Sequence, residues 1–172
     1  MKQKIKCEYS LFLALGSNLG ERERNIEKAY KSIEKQIGRI SSKSAFFYSA
    51  PEGFKSKNNF VNTVCEVRTI LDIYEAFSIS RSIECQLGRA DKSGESGFND
   101  RIIDIDLLLA GDMTVNIENL IIPHPRFHKR DFVLTPLYEI APEIIHPLFN
   151  KTIRDLKYEY DQYSKTENNI NN

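Results

Sequence analysis

The stretch that most limits what this chain can become is Arg101-Ile102-Ile103-Asp104-Ile105-Asp106-Leu107-Leu108-Leu109, two carboxylates set two residues apart inside an otherwise apolar run. Successive side chains of a strand point to opposite faces, so Asp104 and Asp106 project from one face with Cα atoms ~7 Å apart. Two anions in apolar surroundings need compensation. A hard divalent cation such as Mg2+ would supply it together with water and phosphate oxygens, and so would Arg or Lys partners in a structural ion pair. Spacing alone leaves both readings open.

The other segments place this strand in a pattern. Leu11 to Leu15 is a continuous apolar run closed by Gly16, which suits a buried strand. Ile26, Ala29, Tyr30, Ile33 and Ile37 follow at helical spacing, with Glu21 and Glu23 in the first turn and Gly38 after the end. Ser44 to Tyr48 and Phe60 to Arg68 read as strands. Asp72 begins a second helix, with Glu75 at the capping-box position and Gly88 as its stop. Residues 89–100 have the composition of an exposed mobile loop, and Ile102 to Ala110 is the next strand. Strand, helix, strand, strand, helix, strand predicts an α+β fold: a ferredoxin-like antiparallel sheet with helices packed on one face. Between Thr114 and Pro147, five prolines interrupt short apolar pieces, and additional strands and one short helix near Phe132 to Ile140 are expected.

With 172 residues the chain suits one domain, over 1–157, and the polar stretch 158–172 is expected to be a flexible tail. Lys plus Arg and Asp plus Glu are 24 each, so no bulk positive field gathers nucleic acid or anionic membrane. Three unpaired cysteines, no signal core and no span of ~20 apolar residues point to the cytoplasm.

Any anion must therefore be held by a local group of cations. Arg89, Lys92 and Arg101 bracket the loop, and His124, Lys129 and Arg130 follow the next strand piece. Converging cations near carboxylates suit a polyphosphate, although each alone also fits a solvated surface. Gly16-Ser17-Asn18-Leu19-Gly20 lacks the spacing of a phosphate-cradling loop and reads as a turn and helix cap. Phe60 and Asn62 share a strand face, where a flat ring beside an amide suits either a heterocycle or an aromatic core.

In order along the chain stand Ala-Leu-Gly-Ser-Asn-Leu-Gly, Ser-Ala-Pro-Glu-Gly, Asn-Phe-Val-Asn, Ile-Glu-Cys-Gln-Leu-Gly-Arg, Asp-Arg-Ile-Ile-Asp-Ile-Asp-Leu-Leu-Leu, Ile-Pro-His-Pro-Arg-Phe and Arg-Asp-Phe-Val-Leu-Thr-Pro-Leu. From Leu13 to about Pro147 this ordered set closely resembles the 6-hydroxymethyl-7,8-dihydropterin pyrophosphokinases of folate synthesis. The resemblance implies transfer of a diphosphate from ATP to the hydroxymethyl group of a reduced pterin, releasing AMP. It implies two Mg2+ ions on Asp104 and Asp106, with Arg89 and Arg101 as further catalytic residues. Glu84, Arg89, Arg101, His124 and Arg130 would serve ATP, and Pro51, Gly53, Phe60, Asn62, Phe98 and Phe132 the pterin. The product would pass to dihydropteroate synthase, and the enzyme is expected to act as a monomer.

Three positions depart from the usual pattern: Asp91 stands where the family commonly has arginine, Asp100 where proline commonly precedes the arginine of the metal strand, and Phe98 where a larger aromatic is common. Two other functions share parts of the pattern. An RNA-recognition module has the same order of elements, but its aromatic motif is missing and carboxylates occupy the central strand. A metal-dependent nucleotide hydrolase would use the same carboxylates.

Overall fold

The computed structural model describes residues 7–53, 55–88 and 100–170, with side chains as far as 166. Arg89, Phe98, Asp91 and the remainder of the expected loop up to residue 99 lie outside the described residues.

Strand β1 (Tyr9–Ser17) is apolar on both faces, and it occupies an interior position in the sheet. After helix α1 (Arg22–Gln36) come β2 (Arg39–Lys43), β3 (Phe47–Ser49), β4 (Phe60–Thr69), helix α2 (Ile73–Gln86) and β5 (Asp104–Ala110). The strands pair antiparallel in the order β2-β4-β1-β5, with β3 also on β4, which is the expected ferredoxin-like arrangement. At the end of α1, a Cβ on Gly38 would lie 2.3 Å from the Arg68 carbonyl oxygen, so only glycine permits this close turn into β2. The carboxylate of Asp72 accepts the Tyr74 N–H at 2.9 Å and caps α2 as expected.

Three expectations change. The strand expected over Ser44 to Tyr48 is confined to β3, which overlaps it at Phe47 and Tyr48, and β2 precedes it as an unexpected strand. β2 is a polar edge strand with no apolar run to mark it, and Ser44 between them turns its hydroxyl to the Val64 N–H.

Helices also cover both faces of the sheet, not one. Leu11, Leu13, Leu15, Ile105 and Leu107 pack with Ile26, Ile33, Ala76 and Ile83 of α1 and α2. Phe12, Val64 and Leu108 pack on the other face with Leu134 and Leu137 of α3 (Asp131–Ile140) and Ile153 and Leu156 of α4 (Ile153–Ile170). A strand apolar on both faces can be satisfied only by two layers.

The third change is the tail: residues 158–170 continue α4. Thr152 and Asp155 cap its start reciprocally, the Asp155 N–H donating to the Thr152 hydroxyl at 3.1 Å and the Thr152 N–H to the Asp155 carboxylate at 3.0 Å. Tyr160 packs against the second core, and Lys157 pairs with Asp161 one turn on. Two short hairpins complete the additions, β6 (Val115–Ile117) with β7 (Leu120–Ile122) and β8 (Ile145–His146) with β9 (Lys151–Thr152).

Candidate active site

The register of β5 against β1 pairs Asp104 with Gly16 and Asp106 with Ala14, and both carboxylates leave the sheet on the α3 side. Their side chains are 19% and 32% exposed, as expected of acids at the rim of an apolar layer. Each meets an arginine. The Arg101 guanidinium contacts Asp104, and Nη2 of Arg81 lies 3.5 Å from Asp106.

Arg81 does not stand out in the sequence, yet it is tightly placed. Nη2 donates to the Ile105 carbonyl at 2.9 Å and Nη1 to Glu84 Oε2 at 2.8 Å. Glu84 is 2% exposed, and its Oε1 accepts the Ile105 N–H at 2.8 Å. A buried carboxylate therefore fastens α2 to the strand segment between the two aspartates. Its contacts place Glu84 behind the strand as a support. The available sequence signal was the three-residue helical spacing of Arg81 and Glu84.

Two clefts flank the carboxylates, and Asp106 lines both. The first is bounded by the rings of Phe60 and Phe132, with Asn62, Arg101 and Arg130 around them. The Arg101 guanidinium lies 6.0 Å from the Phe60 ring centre and that of Arg130 lies 5.8 Å from the Phe132 ring centre. Nδ2 of Asn62 donates to the Ser49 hydroxyl at 3.0 Å, and a Cβ on Gly16 would sit 3.0 Å from its Oδ1. The amide is thereby oriented by β3, and Gly16 keeps the floor clear beside it. Ser49, Ala50 and Glu52 form the wall expected of Pro51 and Gly53; those two residues do not line the cleft.

The second cleft is lined by Phe77, Arg81, Glu118, Asn119, Ile121 and His124. The His124 N–H donates to the Leu108 carbonyl at 2.9 Å, which fixes this loop against β5. Nδ1 of His124 accepts the Arg126 N–H at 3.3 Å, so the proton of the neutral ring belongs on Nε2. Burial pushes the His124 pKa below its ordinary value against the pull of Asp106, with Arg130 and Arg126 adding to the depression. At neutral pH the ring is a neutral hydrogen-bond donor.

The turn after β1 also departs from its expected role. The α1 N-cap, Glu21, makes no side-chain cap. Asn18 is buried and reaches instead to the lead-in of β5, its Oδ1 accepting the Arg101 N–H at 2.7 Å.

Among the described residues, no group of three or more His, Cys, Asp or Glu side chains gathers into a metal cage. The donor set is the pair of hard carboxylates. This suits Mg2+, which is usually held by one or two carboxylates and completes its shell with water and substrate phosphate.

The model of the 7,8-dihydro-6-hydroxymethylpterin-pyrophosphokinase family matches residues 12–142. The chain belongs to this family. It is 38% identical over 138 residues to a 2-amino-4-hydroxy-6-hydroxymethyldihydropteridine pyrophosphokinase of Porphyromonas gingivalis, covering 80% of this chain and 93% of that one. The enzyme of the same name from Aquifex aeolicus is 35% identical over 150 residues, covering 87% and 91%. A folic acid synthesis protein of Dictyostelium discoideum is 36% identical over 86% of this chain, but the match spans only 22% of that longer protein. A Plasmodium falciparum HPPK-DHPS chain superposes with a TM-score of 0.78 at 18% identity, over 98% of this chain and 46% of that one, and this likeness bears on fold. No helix among the described residues is long and apolar enough to cross a membrane.

Proposed function

We infer that the two clefts hold the two substrates of a pyrophosphoryl transfer in folate synthesis: the reduced pterin between Phe60 and Phe132, and ATP along Phe77, Arg81 and His124. The observation that carries this reading is Asp106, which lines both clefts, so a phosphate chain running from one to the other passes over the carboxylate pair.

Flat rings on two walls suit a heterocycle by stacking, and Oδ1 of Asn62 is an acceptor for a ring N–H. Arg101, Arg130 and the Nε2–H of His124 lie where they can donate to phosphate oxygens, whose charge spreads during transfer. The hydroxymethyl oxygen forms a bond to the β-phosphorus. The bond from that phosphorus to the oxygen bridging it to the α-phosphorus breaks, AMP leaves with that oxygen, and the hydroxyl proton passes to solvent. Two Mg2+ ions on Asp104 and Asp106, when bound, supply charge neutralisation and a lower pKa for the attacking hydroxyl. Glu84 and Arg81 hold the strand that presents both carboxylates.

Product hand-over to dihydropteroate synthase, action as a monomer and residence in the cytoplasm belong to the same reading. Its test is incubation with ATP and Mg2+, with and without 6-hydroxymethyl-7,8-dihydropterin. AMP formed only with the pterin is expected. AMP or ADP formed equally without it would favour a nucleotide hydrolase and overturn the assignment.

A further inference from the structure

At the mouth of the pterin cleft, three chain segments meet on one carboxylate. Oδ1 of Asp100 accepts from Nδ2 of Asn18 at 2.6 Å, and Oδ2 accepts from Nδ2 of Asn58 at 2.9 Å. Asn18 follows the end of β1, Asn58 stands two residues before Phe60, and Asp100 immediately precedes Arg101. Asn18 is 2% exposed, and its backbone and side chain are both committed to this junction. Besides its bond to Asp100, its Oδ1 accepts the Arg101 N–H at 2.7 Å and its own N–H donates to the Arg101 carbonyl at 3.1 Å.

We propose that Asp100 is a positioning residue, whose carboxylate clasps Asn18 and Asn58 and so sets how Arg101 and Phe60, which both line the cleft, stand relative to each other.

The clasp sits where a small shift matters. Arg101 contacts Asp104 and lies over the Phe60 ring, so moving residues 58–60 relative to residues 100–101 shifts the Phe60 wall of the cleft against Arg101. The neighbouring residue is also tied, Nη1 of Arg22 donating to the Asn59 carbonyl at 2.8 Å, which anchors this loop to the start of α1. The Ser56 hydroxyl first, then Asn18, Asn58 and Arg101, hold the Asp100 carboxyl below its usual range against some desolvation, so the acceptor is charged at neutral pH. Hydrogen bonds to a charged acceptor are among the stronger ones, and two amide donors on one carboxylate fix direction as well as distance. Pre-set walls lower the ordering cost when the ligand enters, and this appears in substrate affinity more than in turnover.

The inference rests on the pterin reading of this cleft, and its test separates the two. In Asp100→Asn, a carboxamide with a single acceptor faces two amide donors. In Asn58→Asp, two carboxylates face each other. The double variant Asp100→Asn with Asn58→Asp restores both hydrogen bonds, with donor and acceptor exchanged at residue 58.

Each single variant is expected to raise KM for 6-hydroxymethyl-7,8-dihydropterin about tenfold with kcat within about threefold of wild type, and the double variant to return KM to within about threefold. Amide hydrogen exchange at Arg101, measured without ligands, is expected to speed up in both singles and recover in the double. A merely structural contact would leave KM unmoved. Unchanged KM and exchange in Asp100→Asn, or a double variant no better than the worse single, would overturn the clasp. A wild-type protein that makes no pterin-dependent AMP would instead overturn the functional reading, and the exchange measurements would still decide the clasp.

Discussion

Asp104 and Asp106 each meet an arginine, but the two arginines are held in different ways. Arg101 stands three residues before Asp104 in the lead-in to β5, and its backbone is gripped on both sides by Asn18. Arg81 comes from α2, 25 residues before Asp106, and is fastened by the buried Glu84 and the Ile105 carbonyl. The first pair faces the cleft of Phe60 and Phe132, proposed for the pterin, and the second the cleft of Phe77 and His124, proposed for the nucleotide. A pair three residues apart, held by the turn after β1, makes one half of the site, and helix-to-strand packing makes the other. The two halves should fail differently when disturbed.

The largest effect is expected at the two carboxylates. Asp104→Asn or Asp106→Asn should lower pterin-dependent AMP formation on the order of 10²-fold or more, since each removes a charge where phosphate and metal are proposed to meet, with the melting curve preserved. Near-wild-type turnover at ordinary Mg2+ in either variant would remove the carboxylates from the mechanism. The same experiment extends to the ligand: ATP analogue with Mg2+ should raise the melting temperature of the wild type, and EDTA should abolish the shift.

Next in size comes Arg101→Ala, expected to cost about 10²-fold in kcat/KM because it removes the guanidinium proposed to meet the transferring phosphates. Arg81→Ala should be milder, about tenfold, and concentrated in KM for ATP with little change in KM for pterin. Steady-state kinetics with each substrate varied in turn checks both. Equal effects of Arg81→Ala on the two substrates would erase the division of labour between the clefts.

The smallest effect lies in the anchor. Arg81 and Glu84 are in contact, so Arg81→Ala and Glu84→Gln should be non-additive in urea denaturation by about 1 kcal/mol. Strict additivity would mean that Glu84 holds Ile105 without help from Arg81.

The features legible in the sequence were those set by short-range geometry. A period of two placed Asp104 and Asp106 on one face, and a helical period marked α1 and α2. The Thr152–Asp155 cap of α4 was equally local, and it was overshadowed by the polar composition after Tyr158. Gly16 illustrates the boundary between the two kinds of information. Its place at the end of an apolar run was plain, but its purpose was not, because the Asn62 amide it leaves room for is 46 residues away in the chain and comes beside it through the β1–β4 register.

The chain by itself thus determined the paired carboxylates, the elements β1, α1, β4, α2 and β5 and the shared strand face of Phe60 and Asn62, because each follows from spacing along a strand or helix. Only the tertiary structure decided that both sheet faces are covered, that Arg81 reaches Asp106 and that Asp100 joins Asn18 to Asn58. Those outcomes depend on which distant segments pack together, and a side chain's partner 42 or 82 residues away is chosen by register and burial of the whole sheet, not by its neighbours in sequence.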